Sequence, residues 1–214
     1  MNTHSQNIYL NSDGMSPNNP AKIHRNIVLC GVGGQGTVLA SRLISAAAMA
    51  KGIPVMSAET IGMAQRGGSV FSHLRMGEGI YSPMIAEGTA DLILAFEPGE
   101  AVRMLPYLAP NGQVIVSARP VMPVTATLTG TDYRGEAMIE YLRANVPNLY
   151  VVDTEKALAD VGSAKVLNLI MLGAAAKTGA LGFTREEIRE QIIEKIAPRF
   201  HELNFKALDY AFEQ

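Results

Sequence analysis

The sequence predicts an α/β protein: three layers, α/β/α, around a mostly parallel, mixed central sheet, with a helical C-terminal third. Three observations lead there. A strand, a glycine turn and a helix follow one another without a break between Asn26 and Ala50. Short apolar runs then alternate with helical patterns as far as Asp153, the order that lays helices over a parallel sheet. From Thr154 onward only helical periodicity remains. The chain has 214 residues, which fits one domain, and 48% of them are hydrophobic, enough to build a substantial core.

Residues 1–22 are rich in Asn, Ser and Pro and lack apolar periodicity, so they are expected to be a flexible lead-in to a single domain over 23–214. Asn26-Ile-Val-Leu-Cys30 has the length and residue types of a buried strand. The helix after the glycine turn carries Leu39, Leu43, Ala46, Ala47 and Ala50, a face of small and medium residues suited to a sheet, and Gly52 ends it. Residues 53–58 read as a second strand completing a βαβ unit with a right-handed crossover. Where a Rossmann domain would place a second helix, residues 60–68 form a polar loop punctuated by glycine. An alternating strand follows over 70–75, and Gly77-Glu78-Gly79 turns it back through Ile80 and Tyr81 as a hairpin.

Further along, residues 90–96 form a buried strand, 100–108 a helix with Pro98 near its start, and 113–117 a strand after the Asn111-Gly112 turn. Residues 119–130 are expected to be irregular, 136–145 an amphipathic helix and 149–153 the last strand. In the helical third, residues 165–177 are apolar on nearly every side, which puts them in the interior or under a partner. Asn168 breaks that apolar surface and is expected to be buried and hydrogen-bonded. Thr184-Arg-Glu-Glu187 is a capping box, and Pro198 separates its helix from a final one through Phe205, Leu208 and Phe212.

Composition narrows the function. The net charge is −2, aromatic residues are 6% and tryptophan is absent, so neither phosphate attraction nor base stacking points to nucleic acid. Cys30 is the single cysteine, expected as a small buried residue and unable to ligate an iron–sulfur cluster or a cysteine zinc site by itself. No apolar run is long enough to cross a bilayer and the N-terminus has no secretory pattern, which leads to the expectation of a cytoplasmic protein without a membrane partner.

The candidate chemistry gathers at two stretches. Gly31-Val32-Gly33-Gly34-Gln35-Gly36 matches G-x-G-x-x-G in the strand–turn–helix context that gives the pattern meaning. The helix directs unpaired N–H groups and the positive end of its dipole at this turn, so a phosphate or carboxylate is the expected guest. Packing of a helix on a sheet is the other reading of the same glycines. Arg66-Gly67-Gly68 is the second stretch: a guanidinium able to grip an anion in two places, with glycines clearing the approach, or else an arginine paired within the fold. His73 reads as a strand residue, not a base, because no carboxylate is evident beside it. Ser12-Asp13-Gly14 lacks the paired asparagines of a thiamine diphosphate motif.

Together, Gly31-Val-Gly-Gly-Gln-Gly36, the alanine-rich helix, Met63-Ala-Gln-Arg-Gly-Gly-Ser-Val70, Ala90-Asp-Leu-Ile-Leu-Ala-Phe-Glu-Pro98 and Asn168-Leu-Ile-Met-Leu-Gly-Ala174 resemble the gamma domain of 2-oxoacid:ferredoxin oxidoreductases. The variant with Met-Ala-Gln-Arg-Gly-Gly is most similar to the beta subunit of indolepyruvate ferredoxin oxidoreductases. Thr60-Ile61 departs from the polar pair expected there. The resemblance implies a share in oxidative decarboxylation of 2-oxoacids, such as aryl pyruvates, to acyl-CoA, with electrons passed to ferredoxin. It also implies a larger partner subunit holding thiamine diphosphate and 4Fe–4S clusters, with coenzyme A as cosubstrate. Gly31, Gly33, Gly34, Gln35, Gly36, Arg66, Gly67 and Gly68 are the candidate binding residues; no catalytic residue and no metal ligand is assigned. Two other classes remain open from the residues: a free-standing nicotinamide-dependent oxidoreductase using Gly31, Gly33, Gly36 and Glu59, and a non-catalytic interaction domain.

Overall fold

The computed structural model describes residues 23–59, 68–122 and 133–213. Its centre is a six-stranded sheet in the order β2-β3-β1-β4-β5-β6, built from β1 (Arg25–Val32), β2 (Val55–Glu59), β3 (Ser69–Met76), β4 (Ala90–Ala95), β5 (Leu108–Ser117) and β6 (Leu149–Val152). Strands β1, β4, β5 and β6 are parallel, while β3 is antiparallel to both β1 and β2. Seven α-helices are described: α1 (Thr37–Ala50), α2 (Pro98–Met104), α3 (Gly135–Asn145), α4 (Thr154–Val161), α5 (Leu167–Lys177), α6 (Arg185–Lys195) and α7 (His201–Asp209). No helix among the described residues is long and apolar enough to cross a membrane.

Period-two alternation sorts the sheet residues into two cores. Ile27 and Leu29 of β1, Leu92 and Leu94 of β4 and Ile115 of β5 face α1 and the C-terminal helices. Val28, Cys30, Ile93, Ala95, Val114 and Val116 face the opposite layer of α2 and α3. A central parallel strand is buried on both faces, which is why β1 and β4 are continuous apolar runs in the sequence. Cys30 is fully buried and free.

Two sequence expectations change here. The strand over 53–58 runs parallel to β1 but does not adjoin it; β3 lies between them, with Leu29 opposite Ser72 and Ser72 opposite Glu59. Hydrophobic periodicity shows that a segment is a strand, and says nothing of which neighbour it pairs with. Ile80 and Tyr81 form no hairpin strand, and Tyr81 is 92% exposed. The loop after β3 is instead tied back by side chains: Arg75 donates to the carbonyls of Ser82 (3.0 Å) and Met84 (3.3 Å), and the Ile85 N–H donates to His73 Nδ1 (2.9 Å).

Helix α5 explains the apolar stretch over 165–177. Every residue from Leu167 to Ala176 is buried within this one chain, beneath α7 and beside α1, so its surface is core and offers no face to a partner. Its tightest crossing is at Gly173, where a Cβ would stand 2.2 Å from the Leu208 carbonyl oxygen of α7. Gly173→Ala therefore pushes α7 off the core and lowers stability by about 1–3 kcal/mol, the usual range for overpacking, measurable by urea denaturation.

His73 gives the fold a pH dependence. It is buried in β3 between the rings of Phe71 and Tyr107, with Nδ1 occupied as an acceptor and Nε2 lacking a partner. Burial lowers its pKa from 6.5. The unfolded chain thus takes up the proton first, so this contribution is fully present above about pH 6.5 and is lost as the pH falls through that value towards the folded pKa. Melts between pH 8 and pH 5 are expected to show the decline, and His73→Gln, which keeps an acceptor for Ile85, is expected to flatten it.

Candidate functional site

The parallel strands end together along one edge of the sheet, and the glycine turn is built into that edge. Gln35 folds inward. Its Oε1 accepts from the Val32 N–H (2.8 Å) and its Nε2 donates to the Phe96 carbonyl (2.9 Å), so one carboxamide bridges the ends of β1 and β4. Gly31 makes room for it: a Cβ there would lie 2.6 Å from Gln35 Oε1 and 3.0 Å from Phe96 Cβ. The Gly33 N–H donates to the Gly68 carbonyl (2.8 Å), joining the turn to the start of β3. Gly31, Gly33, Gln35 and Gly68 thus give the turn its shape.

Gly34 and Gly36 present it. Both have positive φ, 99° and 83°, and Gly36 is the N-cap of α1 with no side chain capping the helix and no acidic residue in its first turn. The N–H groups of Gly34, Gly36, Thr37 and Val38 have no acceptor among the described residues. Four donors at the positive end of a helix dipole suit an oxyanion. Arg66 and Gly67 lie outside the described residues.

Between α1 and the edge strand β2 lies an open cleft of about 650 Å³. It is lined by Leu39, Arg42, Ser45 and Met49 of α1, by Glu59 of β2 and by Lys195 of α6. The insertion of β3 creates it, because β2 is carried one strand further from β1, roughly 10 Å in all. Glu59 consequently lines this cleft and not the crevice next to β1, where a ribose-binding acid would stand. That removes the ground for a nicotinamide site.

Sequence reasoning missed a third feature, a buried acidic pair where β4 enters α2. Glu97 caps α2 by accepting from the Glu100 N–H (2.9 Å), and it also accepts from the Tyr133 hydroxyl and the Val121 N–H (3.4 Å). Glu100 accepts from Ser69 Oγ (2.6 Å) and lies 3.4 Å from Arg103 Nε. Glu97 therefore gathers α2 and the segments on both sides of residues 123–132, while Glu100 holds the start of β3. The signal was available: an acid at the end of a buried strand, directly before a proline, is an N-cap with proline at N1. Burial, with the charges of Glu100 and Glu97 adding to it, pushes the Cys30 thiol well above its ordinary pKa, so Cys30 is not a nucleophile. Glu97→Ala leaves these donors unanswered and is expected to lower stability by about 1.5–3 kcal/mol, read from chemical denaturation.

This edge, with a glycine turn feeding α1, an inserted antiparallel strand and a helical C-terminal layer, belongs to a known class. Residues 26–214 match the family model described as pyruvate ferredoxin/flavodoxin oxidoreductase, and the chain belongs to that family. Among its relatives, the indolepyruvate oxidoreductase subunit IorB of Pyrococcus horikoshii is 36% identical over 186 residues, covering 86% of this chain and 92% of the relative. The subunit of the same name from Archaeoglobus fulgidus is 37% identical over 190 residues, covering 88% and 94%. The fold is that of the crystal structure of pyruvate oxidoreductase subunit PORC from Thermotoga maritima, with a TM-score of 0.65 over 90% of this chain and 97% of that one at 23% identity.

Proposed function

We propose that this chain is the small subunit of an indolepyruvate-type 2-oxoacid:ferredoxin oxidoreductase. The observation that carries the reading is the near full-length similarity to the IorB subunits, joined to family membership over 26–214. The reaction of that class cleaves the bond between the carboxylate and the oxo carbon of an aryl pyruvate. Carbon dioxide leaves, the acyl group passes to the coenzyme A thiol, and two electrons pass to ferredoxin.

Such chemistry needs a stabilised carbanion and one-electron carriers, which side chains do not supply. With one cysteine, this chain lacks the thiolates that a cluster requires, and the described residues contain no group of three His, Cys, Asp or Glu placed to hold a metal. A larger partner subunit therefore carries thiamine diphosphate and the 4Fe–4S clusters, and ferredoxin meets the assembled complex. What this chain contributes is binding. The unspent N–H groups of the glycine turn, with Arg66, Gly67 and Gly68, receive an anionic group of coenzyme A or of the oxoacid. The cleft along α1, with Arg42, Lys195 and Glu59 among its lining residues, is the neighbouring space into which the larger of the two would extend.

Anaerobic purification of the untagged native complex tests this reading. The chain is expected to come with a larger subunit, thiamine diphosphate and iron, and the complex to reduce ferredoxin with indolepyruvate and coenzyme A. The isolated chain is expected to be colourless and inactive. Stoichiometric iron in the lone chain, or recovery of this polypeptide alone, overturns the proposal. In the complex, Arg66→Lys keeps the charge but loses the paired geometry, and is expected to weaken coenzyme A or oxoacid binding by ~1.5–3 kcal/mol.

A further inference from the structure

The cleft between α1 and β2 has a charged end and an apolar end, and chain direction sets which is which. β2 runs parallel to β1, so α1, which links them, runs back against both. The Ile53 N–H donates to the Ala48 carbonyl (3.0 Å), which puts the end of α1 beside the start of β2. Arg42, in the first half of α1, therefore lies towards Glu59, the last residue of β2, and Met49 lies towards Val55. Lys51 pairs with Glu187 (2.6 Å) where α6 begins, and Lys195 ends α6 about 12 Å further along. Three charged residues thus line the cleft, with Ala46 and the 59% exposed Met49 beyond them. Lys195 is paired with its neighbour Glu194 (2.7 Å). Arg42 and Glu59 stand on opposite walls, and no ion pair among the described residues ties either of them into the fold. Next to Arg42, Ser41 also lines the cleft; it is 1% exposed, and its Oγ has no hydrogen-bond partner. A buried hydroxyl left unpaired is unfavourable, and buried polar groups as a rule find partners.

We propose that this cleft binds a zwitterionic α-amino acid with an apolar side chain. The Arg42 guanidinium and the Ser41 hydroxyl receive its carboxylate, Glu59 receives its ammonium group, and its side chain lies along Ala46 and Met49. The volume of the cleft is in the range of small-molecule sites, and a few polar groups beside an apolar wall are their usual lining. A simple anion would leave the Glu59 carboxylate facing it, and a simple cation would meet Arg42 and Lys195. A ligand carrying both charges on one carbon answers both walls, through charge-assisted hydrogen bonds. The inference goes beyond the reading of the glycine turn and does not require it. An amino acid held here competes with coenzyme A only where the coenzyme extends this far.

Calorimetric titration of the full chain with L-phenylalanine as probe tests this, alongside thermal melts. Two near-isosteric controls are 3-phenylpropanoate, which lacks the ammonium group, and L-phenylalaninamide, which lacks the carboxylate. Each control is expected to bind about tenfold more weakly than phenylalanine, the effect of one hydrogen bond to a charged group. Glu59→Gln is expected to weaken phenylalanine by about tenfold and to leave 3-phenylpropanoate unchanged. Arg42→Gln is expected to weaken both of these and to spare the amide. Ser41→Ala is expected to lower phenylalanine affinity about fivefold. Its melting temperature is expected to equal or exceed that of the wild type, because an unpaired buried hydroxyl has been removed. Failure of the wild type to bind phenylalanine overturns the inference. So does 3-phenylpropanoate binding as tightly as phenylalanine, which makes the cleft a plain anion site. Unchanged phenylalanine affinity in the folded Arg42 and Glu59 variants overturns it as well. A lower melting temperature of Ser41→Ala with unchanged affinity returns that hydroxyl to the fold and overturns its assignment to the ligand. None of these titrations involves coenzyme A, indolepyruvate or ferredoxin, so the subunit reading stands or falls separately.

Discussion

The two hydrogen bonds of the Gln35 side chain hold together the edge of the sheet where β1 and β4 end. Parallel strands stop pairing at their C-terminal ends, and the backbone groups there need partners that the ladder no longer provides. Gln35 supplies both at once, to the Val32 N–H and the Phe96 carbonyl. A neutral carboxamide does this without the desolvation that a charged bridge would require. The chain on each side is placed by that bridge. On one side the turn passes through Gly34 and Gly36 into α1, and on the other Phe96 leads directly into Glu97 and the cap of α2. Gly31 has no side chain because the bridge fills the space one would occupy.

The second determinant is the antiparallel strand. In an uninterrupted doubly wound sheet, β2 would pair with β1 and α1 would cover the join. Here β3 separates them, α1 spans a wider gap, and the cleft lined by Arg42 and Lys195 opens along its outer side. The same insertion brings Gly68 beside Gly33 and Ser69 beside Glu100. Glu59, at the end of β2, therefore lines that cleft and does not adjoin β1.

Two side-chain amides meet this turn. Gln35 has both of its polar atoms paired across the ends of β1 and β4, whereas the buried Asn168 carboxamide packs against Gly36 at the N-cap of α1. Glu97 belongs with Gln35: three donors converge on its carboxylate, from Glu100, Tyr133 and Val121. Residue type did not distinguish these cases in advance. The expectation that Asn168 is buried is met, while its place against Gly36, far away in sequence, came only from the folded chain.

The elements and the family were legible in the amino-acid sequence. Apolar runs bounded by glycine, 3.6-residue periodicity, the capping box at Thr184 and the glycine turn are local signals, and local geometry follows from them whatever surrounds it. Helix α4 and the capping box of α6 stand where they were expected. The folded chain was needed to show which strands are neighbours, whether α5 is interior or surface, and what each glycine-turn residue does. Those outcomes depend on contacts between segments far apart in the chain: Cys30 with Phe96, Gly33 with Gly68, Gly36 with Asn168. An apolar helix has the same periodicity under its own α7 as under a partner, and a strand has the same alternation one place or two from β1. Side-chain period reports which face is buried, while pairing and burial depth are settled by what the rest of the chain brings to that face.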